Sequence, residues 1–235
     1  MLHANPGDRA QWEAVIPGLH GLGEVLAIDL PDHGLAADAA SVDPDDTVAH
    51  VRDVVRELAP RPVIVAGTSF GAYIAARLLE SPPEHVTGAV LASGFASLSE
   101  AQAVAYRQLA DDLESGALAL PEFSALATGL FLGPDEAPAG VRSGVEGWLR
   151  SLPLARLARG LRRSAACARP DRHVQRLARP ATLLHGRADV AMPLVGAEAL
   201  ARLGPTRLEV LDTSSHLLPQ THPERCVRAL RALLG

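Results

Sequence analysis

The stretch 62–72, Pro-Val-Ile-Val-Ala-Gly-Thr-Ser-Phe-Gly-Ala, narrows what this chain can fold into more than any other. An apolar, β-branched run ends in Gly67-Thr68-Ser69-Phe70-Gly71, and a helix-forming run to Leu79 follows at once. The pattern predicts a strand, a sharp turn and a helix, with Ser69 at the turn. A strand that reverses directly into a helix strains its central residue and crowds the flanking backbones, so glycine is needed on both sides. Two readings of Ser69 stand at this point: a residue that merely N-caps a helix, and a nucleophile held on a strained turn. The rest of the chain has to decide.

Strand-like runs alternate with helix-like runs on both sides of this stretch. Residues 25–30 predict a second buried strand, closed by Pro31-Asp32-His33-Gly34. A helix starting at Asp46 or Thr47 carries apolar Val48, Val51, Val54, Val55 and Leu58, close to a 3.6 period. Further strands are expected at 86–93, 181–185 and 208–211, with helices near 194–203 and 223–234, and Asp8 caps a short helix through residues 12–16. Such alternation means βαβ units and a mainly parallel sheet. It breaks between about Leu98 and Leu177, where several helices punctuated by Pro121, Pro134, Pro138, Pro153 and Pro170 are expected instead. The domain reading is therefore an α/β core over 1–96 and 180–235, interrupted by a helical lid over 97–179.

The chain has 235 residues, 48% of them apolar, which suits one domain with a sizeable core. No lysine is present, so every basic residue is arginine. Charge is uneven: the first sixty residues are acidic, while ten arginines between Arg142 and Arg179 face only Glu146 and Asp171. Such asymmetry marks either a solvated helix face or a docking face for an anionic partner. Cys167 and Cys226 are too few and too far apart for a disulfide framework, and no metal-ligand spacing accompanies them. No signal peptide or membrane-spanning run is visible, so a soluble cytoplasmic protein is expected, without cofactor, metal, nucleic-acid or membrane partner.

A serine hydroxyl is a weak nucleophile near neutral pH and needs a base, itself oriented by a third group. In a parallel sheet those partners should follow later strands, because ligands bind beyond the strands' carboxyl ends. The run 181–185 ends in His185-Gly186-Arg187-Ala188-Asp189, and the run 208–211 ends in Asp212-Thr213-Ser214-Ser215-His216. Asp189 alone could cap the following helix, and His216 is one of nine histidines. Asp212 is a rival acid, although it shares a loop with His216. A serine, a carboxylate and an imidazole after three different strands make a stronger signal than any one of them.

These motifs together resemble the α/β-hydrolases with a helical lid. Gly67-Thr68-Ser69-Phe70-Gly71 is similar to their G-x-S-x-G nucleophile elbow. His3-Ala4-Asn5-Pro6-Gly7 with Trp12 resembles H-G-x-P-G…W, residues 29–34 resemble D-x-P-G-x-G, and residues 185–189 resemble H-G-x-x-D. The chain departs from the family at Ala4 and at Asp32, both glycine in the usual pattern. The resemblance implies an α/β-hydrolase fold in which Ser69 is the nucleophile, His216 the general base and then acid, and Asp189 the residue that orients the imidazole. It implies an oxyanion hole from the backbone N–H groups of Phe70 and Asn5.

The implied activity is hydrolysis of a small carboxylic ester, lactone or thioester through an acyl-enzyme. The lid resembles those of enol-lactonases and of carrier-protein methyl esterases, which would make Arg156, Arg159, Arg162 and Arg163 a face for an acidic acyl carrier protein. A C–C bond hydrolase, a cofactor-free haloperoxidase-like enzyme and a non-catalytic binding protein are the alternatives. Relatives with an aspartate nucleophile or a required lysine do not fit. In the family, further strands precede the segment matching His3; here only Met1 and Leu2 do, so an upstream apolar segment is expected.

Overall fold

Strand β1 (Val63–Thr68) runs directly into helix α2 (Phe70–Leu78), with Ser69 between them, and the computed structural model is built outward from this unit. The structure describes residues 1–36, 43–134, 137–138 and 140–234. Strands β2 (Val86–Ala92), β3 (Ala181–Gly186) and β4 (Thr206–Leu211) continue the sheet in the order β1-β2-β3-β4, every pair parallel. Side chains alternate between faces, as the two-residue period of a strand requires. Val65, Ala89, Leu91 and Leu183 enter one core with α1 (Pro44–Glu57), α2 and α7 (Leu194–Ala201). Ala66, Val90, Ala92 and Leu184 enter another, beneath Trp12 and the Cys226, Ala229 and Leu230 side of the C-terminal helix.

Among the described residues four α-helices stand between β2 and β3: α3 (Glu100–Ser115), α4 (Leu120–Leu132), α5 (Val141–Ser151) and α6 (Leu154–Ala166). They have their own apolar cluster of Leu113, Phe123, Leu149, Leu157 and Leu161, which Ala4 and Leu217 join. The chain closes with the one-turn α8 (Leu218–Thr221) and with α9 (Pro223–Leu234). No helix among the described residues is long and apolar enough to cross a membrane.

Several expectations need correction. Residues 25–30 do not form a strand; a single bridge at Ile28 pairs with Leu2, and Leu26 is 45% exposed. A strand exists only through its partner, and here that partner is Met1 and Leu2, which hydrogen-bond to Leu26 and Ile28 on one side and to Ala66 and Thr68 on the other. An apolar cleft of about 370 Å³ opens beside them, lined by Leu2, Leu22, Leu26, Val55, Val63 and Leu230. The helix expected over 12–16 is instead two 3₁₀ turns, Arg9–Trp12 and Ile16–Leu19, with Pro17 and Gly18 preventing a regular helix. Helix α1 begins at Pro44, earlier than expected, because Asp43 caps it and proline suits a first helical position. Strand β4 starts at Thr206, two residues before the expected 208. Most of the acidic loop before α1, residues 37–42, lies outside the described residues.

Candidate active site

Ser69 sits at φ 51°, ψ −115°, in the left-handed half of backbone space that a residue with a Cβ occupies only under constraint. The constraint is visible on both sides. A Cβ at Gly67 would collide with the backbone of Gly71 and Ala72, and one at Gly71 would collide with the carbonyls of Leu2 and His3. The Ser69 side chain makes no capping hydrogen bond to α2. That removes the capping explanation, and Ser69 borders a cavity of about 650 Å³ that His216 also borders.

Asp189 and His216 come together as their positions after β3 and β4 suggest. Asp189 Oδ2 lies 2.7 Å from His216 Nδ1, and Oδ1 accepts the Met192 N–H at 2.9 Å. A carboxylate at Nδ1 places the proton there and leaves Nε2 with a free lone pair, the state a general base needs. The rival Asp212 is excluded as the partner, since its side chain is fully exposed and its neighbour is Arg187 at 3.8 Å. Among the described hydrogen bonds none links Ser69 Oγ to His216; such contacts often tighten only with substrate bound.

Three features around His216 carry no signal in the sequence pattern. The Phe131 ring stacks on the imidazole with centroids 5.9 Å apart, and the Phe131 carbonyl accepts the His216 N–H at 2.7 Å. Ser93, at φ 50°, donates from Oγ to the His216 carbonyl at 2.7 Å. An apolar residue late in a lid helix and a serine ending a strand are common, so only the folded contacts reveal them.

Opposite Ser69 lies the segment His3-Ala4-Asn5. The buried His3 ring pins it: Nδ1 donates to the Ala4 carbonyl at 2.7 Å, and Nε2 accepts the Leu30 N–H at 2.9 Å. Burial pushes this imidazole down to about 4, so it stays neutral. Ala4, where the family pattern has glycine, is accommodated with its N–H donating to Gln11 Oε1 at 2.8 Å. Among the described residues no partner is found for the backbone N–H of Asn5. The Phe70 N–H, at the first position of α2, has none within the helix. Both residues line the cavity with Ser69.

Phe95, Leu109, Phe123, Leu130 and Leu161 form much of the cavity wall, and among the described residues no aspartate, glutamate or arginine lines it. The lid arginines point elsewhere. Arg159 and Arg163 pair with Asp32, and Arg162 pairs with Asp111 and Glu114 of α3.

Residues 1–229 match the sequence model of the alpha/beta hydrolase family. The chain belongs to that family. An esterase of Mycobacterium tuberculosis is 37% identical over 94 residues, a stretch spanning 39% of this chain and 30% of that protein. Among solved structures, a hydrolase from Pseudomonas aeruginosa PA01 superposes with a TM-score of 0.86 at 20% identity, covering 100% of this chain and 88% of its own. A thermophilic esterase from Thermogutta terrifontis gives 0.81 at 22% identity, covering 99% and 87%. These likenesses establish the alpha/beta hydrolase fold, and the parallel sheet with helices on both faces is its core.

Proposed function

We propose that this alpha/beta hydrolase is a serine esterase that cleaves a small, uncharged carboxylic ester, lactone or thioester. The observation that carries the reading is the Asp189–His216 contact at 2.7 Å on the same cavity as Ser69, whose hydroxyl caps nothing. In the proposed course Ser69 Oγ attacks the carbonyl carbon and His216 Nε2 takes its proton. The tetrahedral oxyanion then rests on the N–H groups of Asn5 and Phe70. Collapse expels the alcohol or thiol with the proton returned by His216, leaving an acyl group on Ser69. Water, deprotonated by His216, attacks this acyl-enzyme, and the carboxylic acid departs.

The uncharged class follows from the lining. A carboxylate in a cavity with no cationic side chain would lose its hydration without replacement. An acidic carrier protein at the lid is the weaker reading, because Arg159, Arg162 and Arg163 already face carboxylates of this chain. Labelling with a fluorophosphonate followed by peptide mass analysis tests the nucleophile. The adduct is expected on the peptide containing Ser69, and an adduct confined to another serine would refute the assignment.

A further inference from the structure

Asp32 stands where the family pattern has glycine, and its backbone keeps a glycine-like φ of 69°. Aspartate tolerates that region better than most residues, but it still strains there. What Asp32 adds is a carboxylate, 1% exposed, that receives Arg159 from α6 in two parallel hydrogen bonds, Nε to Oδ2 at 3.0 Å and Nη2 to Oδ1 at 2.7 Å. Arg163, one helical turn later, reaches Oδ2 at 3.4 Å. Burial pushes this carboxyl up, but the Arg159 hydrogen bonds and the two guanidinium charges outweigh it and hold the group below the ordinary carboxylate range. Two-point arginine pairing fixes orientation as well as distance.

The same turn of α6 grips the oxyanion segment. Asn5 Nδ2 donates to the Gly160 carbonyl and, at 2.9 Å, to Ser164 Oγ. Gly160 has no Cβ where one would stand 2.7 Å from Asn5 Oδ1, so the helix lies directly on the asparagine. Asn5 Oδ1 in turn lies 3.0 Å from Nε2 of His33, the neighbour of Asp32. A closed ring results, running from Asp32 to Arg159, along α6 to Gly160 and Ser164, across to Asn5, and back through His33. Asn5, whose backbone N–H has no partner among the described residues, lines the cavity that Ser69 also borders.

We propose that Asp32 and Arg159 are positioning residues: their ion pair seats α6 on the Asn5 side chain and so aims the Asn5 N–H at the oxyanion. The inference rests on the serine-hydrolase reading. It makes α6 a fixed part of the oxyanion apparatus, and it gives the departure from glycine at Asp32 a function.

The test compares Arg159→Met, Arg159→Lys and Asp32→Gly in the full chain with p-nitrophenyl acetate as substrate. Misplacing a reacting group by about 1 Å costs on the order of 100-fold. We expect kcat to fall about 10- to 100-fold in Arg159→Met and Asp32→Gly, with KM within about threefold, and Arg159→Lys to fall between them and the parent. Inhibition by phenylboronic acid, which forms a tetrahedral adduct on a serine, should weaken in proportion to kcat. An unchanged kcat with only a lowered melting temperature would reduce the pair to a structural tie and overturn the proposal, as would a rise in KM alone. If Arg159→Met does not fold, Arg159→Lys and Asp32→Gly carry the same comparison. A parent protein that no fluorophosphonate labels would overturn the hydrolase reading, and the positioning role with it. A labelled parent with indifferent variants would overturn the positioning role alone.

Discussion

Asp189 and His216 stand 27 residues apart in the chain and 2.7 Å apart in the folded protein, and it is the pairing of β3 with β4 that closes this distance. The register sets Gly186 beside Leu211, so the loops that follow leave the sheet side by side. An acid after one strand and an imidazole after the next thus become a hydrogen-bonded pair.

That pair distinguishes two acids on the same edge. Asp189→Asn reverses the hydrogen-bond demand at His216 Nδ1 and should lower kcat on the order of 10⁴-fold. Asp212→Asn, at a fully exposed side chain, should leave kcat within about twofold. Steady-state kinetics of both variants on one p-nitrophenyl ester checks the contrast.

The elbow's glycines make a packing prediction. Gly71→Ala drives a Cβ into the Leu2 and His3 carbonyls, and overpacking of this kind costs about 1–3 kcal/mol. It should also lower kcat, since the displaced backbone leads into Asn5. Gly144→Ala in α5 meets no atom within 4 Å and should stabilise by about 0.5–1 kcal/mol. Urea unfolding midpoints measure both.

His3 makes stability depend on pH. Unfolded, the imidazole takes up its proton near 6.5; folded and buried, only at about 4. Between these values the unfolded chain binds more protons, so stability is full above pH 6.5 and falls as the pH drops toward 4. The loss from this ring amounts to about 2 kcal/mol at pH 5. Urea midpoints at pH 7 and pH 5 should show it, and His3→Gln should reduce the dependence, leaving the share of His33, whose imidazole burial pushes down to about 3. Equal midpoints for the parent at the two pH values would contradict a buried neutral ring.

The cavity predicts selectivity among acyl groups. Its wall, which among the described residues carries no carboxylate or guanidinium, suits a neutral acyl chain. Replacing p-nitrophenyl butyrate by the equally short p-nitrophenyl hemisuccinate buries a carboxylate and should lower kcat/KM by at least about 100-fold. Comparable turnover of the two would place a cation in the site that the structure does not.

The elements that sequence reading placed well are those whose signal is local. Strands β1, β2 and β3 are apolar runs bounded by Gly or Pro, and α9 is apolar along one face and arginine-rich along the other. Residues 25–30 carry an equally apolar run and still make only one bridge, because hydrophobicity is a property of the segment and a ladder is a property of the pair. The elbow was legible because Gly67 answers to backbone contacts near in sequence, those of Gly71 and Ala72, whereas Gly71 answers to the distant carbonyls of Leu2 and His3. The order serine, acid, histidine was legible because a parallel sheet delivers successive loops to one edge. The Asp32–Arg159 pair was not, since 127 residues and no periodicity connect a tight loop to a lid helix. Its trace was the misplaced aspartate itself, together with two arginines of the lid row, Arg159 and Arg163, that pair with it.

The most direct test of the account is kcat for Ser69→Ala against the parent on a panel of neutral p-nitrophenyl esters and lactones. The account predicts that the parent turns over at least one short-chain substrate and that the variant loses on the order of 10⁴-fold or more in kcat while remaining folded. Equal turnover by the folded variant and the parent would contradict it.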